Sequence, residues 1–163
     1  MSWKLADIHH LGMTVVDIER SIRFYRDVLG MTLVRRRPKV NADYVARQTG
    51  YEGVELNVAS FKVSPDSHQS LEIVQYMNHT GESLKQATNR PGASHLCLLV
   101  DDLQSCHAEL SANGVRFMSD PVTITAGPNK DGMVVYFYDP DGYPLELFQP
   151  AEKTASSDTA VNR

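Results

Sequence analysis

The chain has 163 residues, 42% of them hydrophobic and 22% charged, with a net charge of −4. That balance fits one globular domain with a proper core and argues against a nucleic-acid or anionic-membrane footprint. No run approaches the ~18 apolar residues of a membrane span, and Met1-Ser2-Trp3-Lys4 begins no signal-peptide apolar segment, so a cytoplasmic protein is expected.

Residues 8–16 alternate and are rich in Ile, Leu, Met and Val, which predicts a strand. Asp17 follows as a helix N-cap, with Ile18, Ile22, Tyr25 and Leu29 at helical spacing and Gly30 as the stop. Residues 31–37 read as a second strand. The run Arg35-Arg36-Arg37 within it is expected to be solvated. Val54 to Val63 and Ser70 to Tyr76 read as an antiparallel pair. The plan then repeats. A strand over 95–100 leads to a cap at Asp101 or Asp102. A helix carrying Leu103, Cys106 and Leu110 stops at Gly114, and 115–118 read as the next strand. Met133 to Tyr138 and Pro144 to Gln149 form a last pair, joined by Asp139-Pro140-Asp141-Gly142, a type I turn sequence. Segments 38–50, 77–92 and 119–132 are expected as loops, and Tyr44, Arg47, Asn129 and Lys130 lie in loops able to cover a pocket mouth. Cys97 and Cys106 are too few for a disulfide framework and read as reduced thiols.

The fold expected is α+β, two paired βαβββ modules forming a cupped, mostly antiparallel sheet. Module one spans about 7–77 and module two about 93–150, divided near Asn89-Arg90-Pro91-Gly92. Residues 1–150 make one domain, and 151–163 are a disordered tail.

The repeat is the informative feature. His10-Leu11-Gly12-Met13-Thr14-Val15-Val16-Asp17 returns as His95-Leu96-Cys97-Leu98-Leu99-Val100-Asp101-Asp102. Each copy closes on Leu-Glu-apolar-apolar-Gln, at Leu71-Glu72-Ile73-Val74-Gln75 and at Leu145-Glu146-Leu147-Phe148-Gln149. Alternation puts Leu11, Met13, Val15, Leu71, Ile73, Leu145 and Leu147 on one face, under the helices. His10, Glu72, His95 and Glu146 fall on the other. A strand glutamate in an apolar run is costly unless it is paired or bound to a cation. Two histidines and two glutamates at equivalent positions therefore predict one divalent metal held by His10, Glu72, His95 and Glu146. Imidazole with carboxylate suits Zn²⁺, Ni²⁺, Co²⁺, Mn²⁺ or Fe²⁺. His9, whose repeat partner is Ser94, reads as structural or surface, and His68, His79 and His107 as solvated.

At these motifs the chain resembles the vicinal oxygen chelate superfamily, which includes glyoxalase I, methylmalonyl-CoA epimerase, extradiol dioxygenases and the bleomycin and fosfomycin resistance proteins. The segments that carry the resemblance are His10-Leu-Gly with Asp17, Phe24-Tyr25 and Leu29-Gly30; Leu71-Glu72; Ser94-His95 with Val100-Asp101-Asp102; and Asp139-Pro-Asp-Gly-Tyr-Pro-Leu-Glu146-Leu. The resemblance implies a homodimer acting on a small substrate with vicinal oxygens. It is similar to glyoxalase I in its His, Glu, His, Glu set. The chain differs from the glutathione-dependent pattern at Thr14, where Arg stands, and at Tyr76, where Asn stands. Glu55 matches the place of an epimerase carboxylate on the strand before Glu72. The chemistry implied is removal of a proton beside a chelated carbonyl, with Glu146, Glu72 and Glu55 as candidate bases and Thr14, Tyr76, Leu99 and Phe148 shaping the pocket. The resulting reading is a metal-dependent isomerase, epimerase or lyase. Its rivals are a non-haem Fe²⁺ dioxygenase using His10, His95 and Glu146, and a small-molecule-binding resistance protein.

Overall fold

Asp17 has extended backbone, and its carboxylate accepts from the amides of Glu19 and Arg20 at 3.0 and 3.1 Å. This cap starts helix α1 (Ile18–Arg23). The helix does not run unbroken to Leu29 as its apolar spacing predicts. It widens into a π-helical turn over Phe24–Val28, then ends at Gly30, whose φ of +71° suits glycine. The turn leaves Tyr25 wholly buried. A computed structural model describes residues 3–82 and 87–152. The predicted tail, beyond Glu152, lies outside the described residues.

The chain divides into two compact units. The first comprises the residues up to Ala87 together with Asp139–Tyr143; the second comprises Thr88–Tyr138 and the chain from Pro144 onward. In the first unit, β1 (His10–Thr14), β2 (Thr32–Val40), β3 (Leu56–Lys62) and β4 (Ser70–Tyr76) form a mixed sheet in the order β1-β4-β3-β2. β1 lies parallel to β4 with Gly12 opposite Glu72, and β3 is antiparallel to both β4 and β2. Met13, Val15, Leu71, Ile73, Ala59 and Phe61 are buried on the α1 side, as alternation requires.

The second unit repeats the order as β5-β8-β7-β6, from β5 (Leu96–Leu99), β6 (Val122–Thr123), β7 (Met133–Tyr138) and β8 (Pro144–Gln149). Here β5 lies parallel to β8 with Cys97 opposite Glu146. Of the two aspartates, Asp102 is the cap of the intervening helix: its carboxylate takes the Ser105 amide at 3.0 Å.

Two further expectations about elements fail. Segment 38–50 is not all loop: Asp43–Thr49 form a helix, α2, closed by Gly50 at φ +77°. Its single buried residue, Val45, packs with Val54, Leu56 and Val58, and seven residues are too few to display a helical period. Segment 115–118 is not a regular strand: Phe117 makes one isolated bridge to Phe137, and the edge strand β6 starts later. Pro121, without an amide hydrogen, cannot continue the ladder. The helix between β5 and β6 is numbered α3 (Leu103–Ala112). Among the described residues no helix is long and apolar enough to cross a membrane.

The turn after β7 belongs to the first compact unit. Asp139 is 3% exposed. Its Oδ1 accepts the amides of Asp141 and Tyr143 at 2.9 and 2.7 Å, and its Oδ2 accepts the Tyr25 hydroxyl at 3.0 Å. The amide of Gly142 closes the turn on the Asp139 carbonyl at 3.0 Å. Asp141 bonds to Arg20 of α1. Burial raises the Asp139 carboxyl above its ordinary value of 3.8, against the pull of these donors. The same burial, with the Asp139 charge, raises the Tyr25 hydroxyl.

Tyr25→Phe leaves Oδ2 of a buried carboxyl without its donor. A loss of about 1–3 kcal/mol is expected in urea unfolding, and an unchanged midpoint would refute this role for the hydroxyl. The folded chain holds the Asp139 proton more tightly than the unfolded chain does. Its contribution is therefore intact below the unfolded value and declines as pH rises through the raised one. Asp139→Asn, which cannot ionise, is expected to gain stability relative to the native chain as pH rises above the ordinary carboxyl value of 3.8; a difference that stays constant with pH would contradict the assignment.

Candidate active site

In the second unit one row of side chains runs across the sheet. Register places Cys97 of β5, Glu146 of β8 and Tyr136 of β7 side by side on one face, and His95 stands two residues before Cys97, on the same side. His95 Nε2 lies 2.9 Å from Glu146 Oε2. The Tyr136 hydroxyl stands 3.4 Å from the same nitrogen, and the two rings meet edge to face. The Glu146 side chain is 15% exposed and that of His95 43%, so the carboxylate is sheltered while the imidazole reaches solvent.

Burial, then the hydrogen bond to Glu146, push the Tyr136 hydroxyl up to about 12. Tyr136 therefore remains an O–H donor toward the carboxylate. Cys97 is solvent-accessible, yet lost hydration and the Glu146 charge push its thiol up to about 11. It stays a thiol and donates to Glu146. A carboxylate between apolar strands is thus held by an imidazole, a phenol and a thiol.

The first unit offers the same backbone arrangement with different neighbours. Gly12 replaces Cys97 opposite the glutamate, and Ser60 replaces Tyr136. Glu72 faces Arg37, with Oε2 3.7 Å from Nη2. His10 shares that face, one diagonal step from Glu72, and its Nδ1 lies 2.7 Å from Nδ1 of His9. His9, expected to be structural or surface, thus occupies Nδ1 of His10. The adjacent pair His9-His10 was the signal for this contact. The face of Glu72 also bears a cavity of about 190 Å³ covered by α2, lined by Tyr44, Tyr76, Val58 and Val74 among others.

The remaining candidates fall variously. Tyr76 lines the cavity. Thr14, opposite Val74, is exposed. Leu99, opposite Phe148 in the second unit, is 68% exposed, and Phe148 is half-buried. Glu55 precedes β3 out of step with the cavity residues Leu56 and Val58 and is not among those lining the space. Strand alternation gives it the opposite parity. The arginine run is solvated only in part: Arg35 is exposed, while Arg36 and Arg37 are half-buried. All three lie within β2, where Arg36 pairs with Glu19 at 2.7 Å and Arg37 lines the cavity. The expectation fails in part because the strand continues through Pro38 to Val40.

Within neither unit do the described residues bring three or more His, Cys, Asp or Glu side chains into one metal-holding group. Each unit by itself supplies one His and one Glu on a common face. Donors bound to one first-row cation at ~2.0–2.2 Å stand roughly 3 Å apart when adjacent in its coordination sphere. The 2.9 Å between His95 Nε2 and Glu146 Oε2 meets that spacing, so this pair fits a cation. Cys97 provides a measure of the Glu146 surroundings. At about pH 8 its alkylation by iodoacetamide is expected to run at least about tenfold slower than that of a free cysteine, and to quicken in Glu146→Gln. Peptide mass mapping reads the rate at Cys97, and a rate equal to free cysteine's would remove the Glu146 contact.

Known proteins share this architecture and this sequence pattern. A lactoylglutathione lyase of Haemophilus influenzae is 31% identical over 144 residues, covering 87% of this chain and 91% of its own. A 2-epi-5-epi-valiolone epimerase of Actinomyces is 29% identical over 158 residues, covering 94% and 85%. The crystal structure of a glyoxalase family protein from Bacillus cereus superimposes with a TM-score of 0.78 at 17% identity, covering 92% of this chain and 97% of that one. The description of the Glyoxalase/Bleomycin resistance protein/Dioxygenase superfamily matches residues 7–147, and the chain belongs to that superfamily.

Proposed function

We propose that this protein is a divalent-metal-dependent isomerase, epimerase or lyase, with His10, Glu72, His95 and Glu146 as the metal's ligands. The observation that carries the reading is the His–Glu pair that each unit presents on one sheet face, in contact at 2.9 Å in the second. The names of the relatives, a lyase and an epimerase, support the same class. When bound, a divalent cation supplies Lewis acidity to two neighbouring substrate oxygens and so acidifies the adjacent C–H.

The protein's own groups do the rest. Glu146 takes that proton on a carboxylate oxygen and returns it to the neighbouring carbon or to the opposite face. Tyr136 holds the carboxylate in place. The Tyr136 hydroxyl, kept protonated, offers a hydrogen bond as the carboxylate regains its charge. The apolar parity of the strands excludes water from beneath. Glu72 is the second candidate base. Glu55, outside the cavity lining, is not assigned a part.

Protein reconstituted with Zn²⁺, Ni²⁺, Co²⁺, Mn²⁺ or Fe²⁺ is expected to retain the cation through desalting, and His10→Ala and His95→Ala to lose it. With the metal bound, solvent deuterium should enter α-hydroxycarbonyl substrates, and Glu146→Gln should slow that exchange by about 10²–10⁴-fold with its thermal melt unchanged. Consumption of O₂ by the Fe²⁺ form would favour a dioxygenase. Protein that neither holds any of these cations nor exchanges deuterium would leave small-molecule binding as its activity.

A further inference from the structure

The cavity of the first unit has a cation that the proposed chemistry does not use. Its sheet side is aliphatic, with Val58 and Val74, and its helix side carries Tyr44 and Val45. Arg37 and Glu72 are the charged residues among its lining. They are not joined by a close bond: 3.7 Å separates Nη2 from Oε2, beyond the ~2.7–2.9 Å of a charge-assisted hydrogen bond. Arg37 Nε is buried with no acceptor in reach. That enclosed atom is closed to a ligand, and Arg20 Nε and Arg36 Nη1 lack partners as well; what the cavity meets is the remainder of the Arg37 guanidinium, whose side chain is 40% exposed. A guanidinium presents adjacent N–H groups in a rigid planar fork, and a carboxylate is the acceptor whose two oxygens match it. One cation beside an existing carboxylate favours a monoanion over a doubly charged phosphate. The volume of about 190 Å³ favours a small molecule, and walls that combine Val58, Val74 and Tyr76 with Gln48 and Thr49 suit a body with both apolar and polar groups.

We propose that Arg37 binds the carboxylate of the substrate, and that this site acts on small monocarboxylic acids. The assignment deepens the function proposed above and rests on Glu72 working beside the reacting atoms. Arg37 is a substrate-binding residue and sets specificity.

Phenylacetate and phenylacetamide share a shape and differ in charge. Each is titrated into the ¹⁵N-labelled full chain, with EDTA and separately with Zn²⁺, and the amides of Tyr44, Val58 and Tyr76 are followed. Phenylacetate is expected to bind at least about tenfold more tightly. Arg37→Gln should abolish this preference, and Arg37→Lys, which keeps the charge without the fork, should retain part of it. The double variant Arg37→Gln with Glu72→Gln, which also removes the glutamate's repulsion, should still show no preference.

A preference that survives Arg37→Gln, no preference in the native chain, or tighter binding of phenyl phosphate would each overturn the proposal. If Arg37→Gln fails to fold, the native comparison and Arg37→Lys decide. A native chain that prefers phenylacetate in EDTA but holds no Zn²⁺ keeps the Arg37 assignment and removes the metal reading. One that holds Zn²⁺ without the preference removes the Arg37 assignment alone.

Discussion

In each unit the strand that opens the module lies parallel beside the strand that closes it, and the candidate site depends on that pairing. β1 meets β4 and β5 meets β8 in the same register, with Glu72 opposite Gly12 and Glu146 opposite Cys97. A histidine two residues before each of these positions therefore lands on the face of a glutamate far along the chain. A slip of one residue would turn every side chain over. The register is held by the apolar parity: Met13, Val15, Leu71 and Ile73 in one unit, and Leu145 and Leu147 in the other, are all nearly inaccessible. Burying these side chains is what fixes the glutamates on the opposite face.

The two units spend the shared plan differently. In the second, Glu146 is surrounded by an imidazole, a phenol and a thiol, all able to donate to it. This is a setting that orients one carboxylate. In the first, Gly12 and Ser60 stand beside Glu72, α2 covers a cavity lined by both apolar and polar side chains, and a guanidinium lines it. This is a more open setting, with opposite charges 3.7 Å apart at its wall. The repeat gives both units one framework, and different residues at matching register positions give each glutamate different neighbours.

The buried Asp139 shows the same economy of polar groups. Its two oxygens take three donors, two from its own turn and one from Tyr25. The turn is thereby made part of the first compact unit although its sequence lies between two strands of the second. The π-helical widening at Phe24–Val28 occurs where Tyr25 is wholly enclosed.

The sequence by itself determined the repeat, the strand and helix order around it, the cap at Asp17, the turn at Asp139 and the face on which His10, Glu72, His95 and Glu146 lie. All of these follow from local chemistry or from a period of two along a strand. Only the tertiary structure decided the rest. α2 was hidden because seven residues show no period, and its stability comes from Val45 packing on β3 residues. Tyr136 and His9 became neighbours of the site through register and ring contact, which no composition reveals. Arg37 changed from an apparent surface charge to a cavity residue because β2 extends past Pro38. Glu55 stands outside the cavity lining because the start of β3 sets its parity. The division has one physical reason: alternation and capping act over a few residues, whereas the neighbours of a side chain across a sheet are set by strand pairing between distant segments.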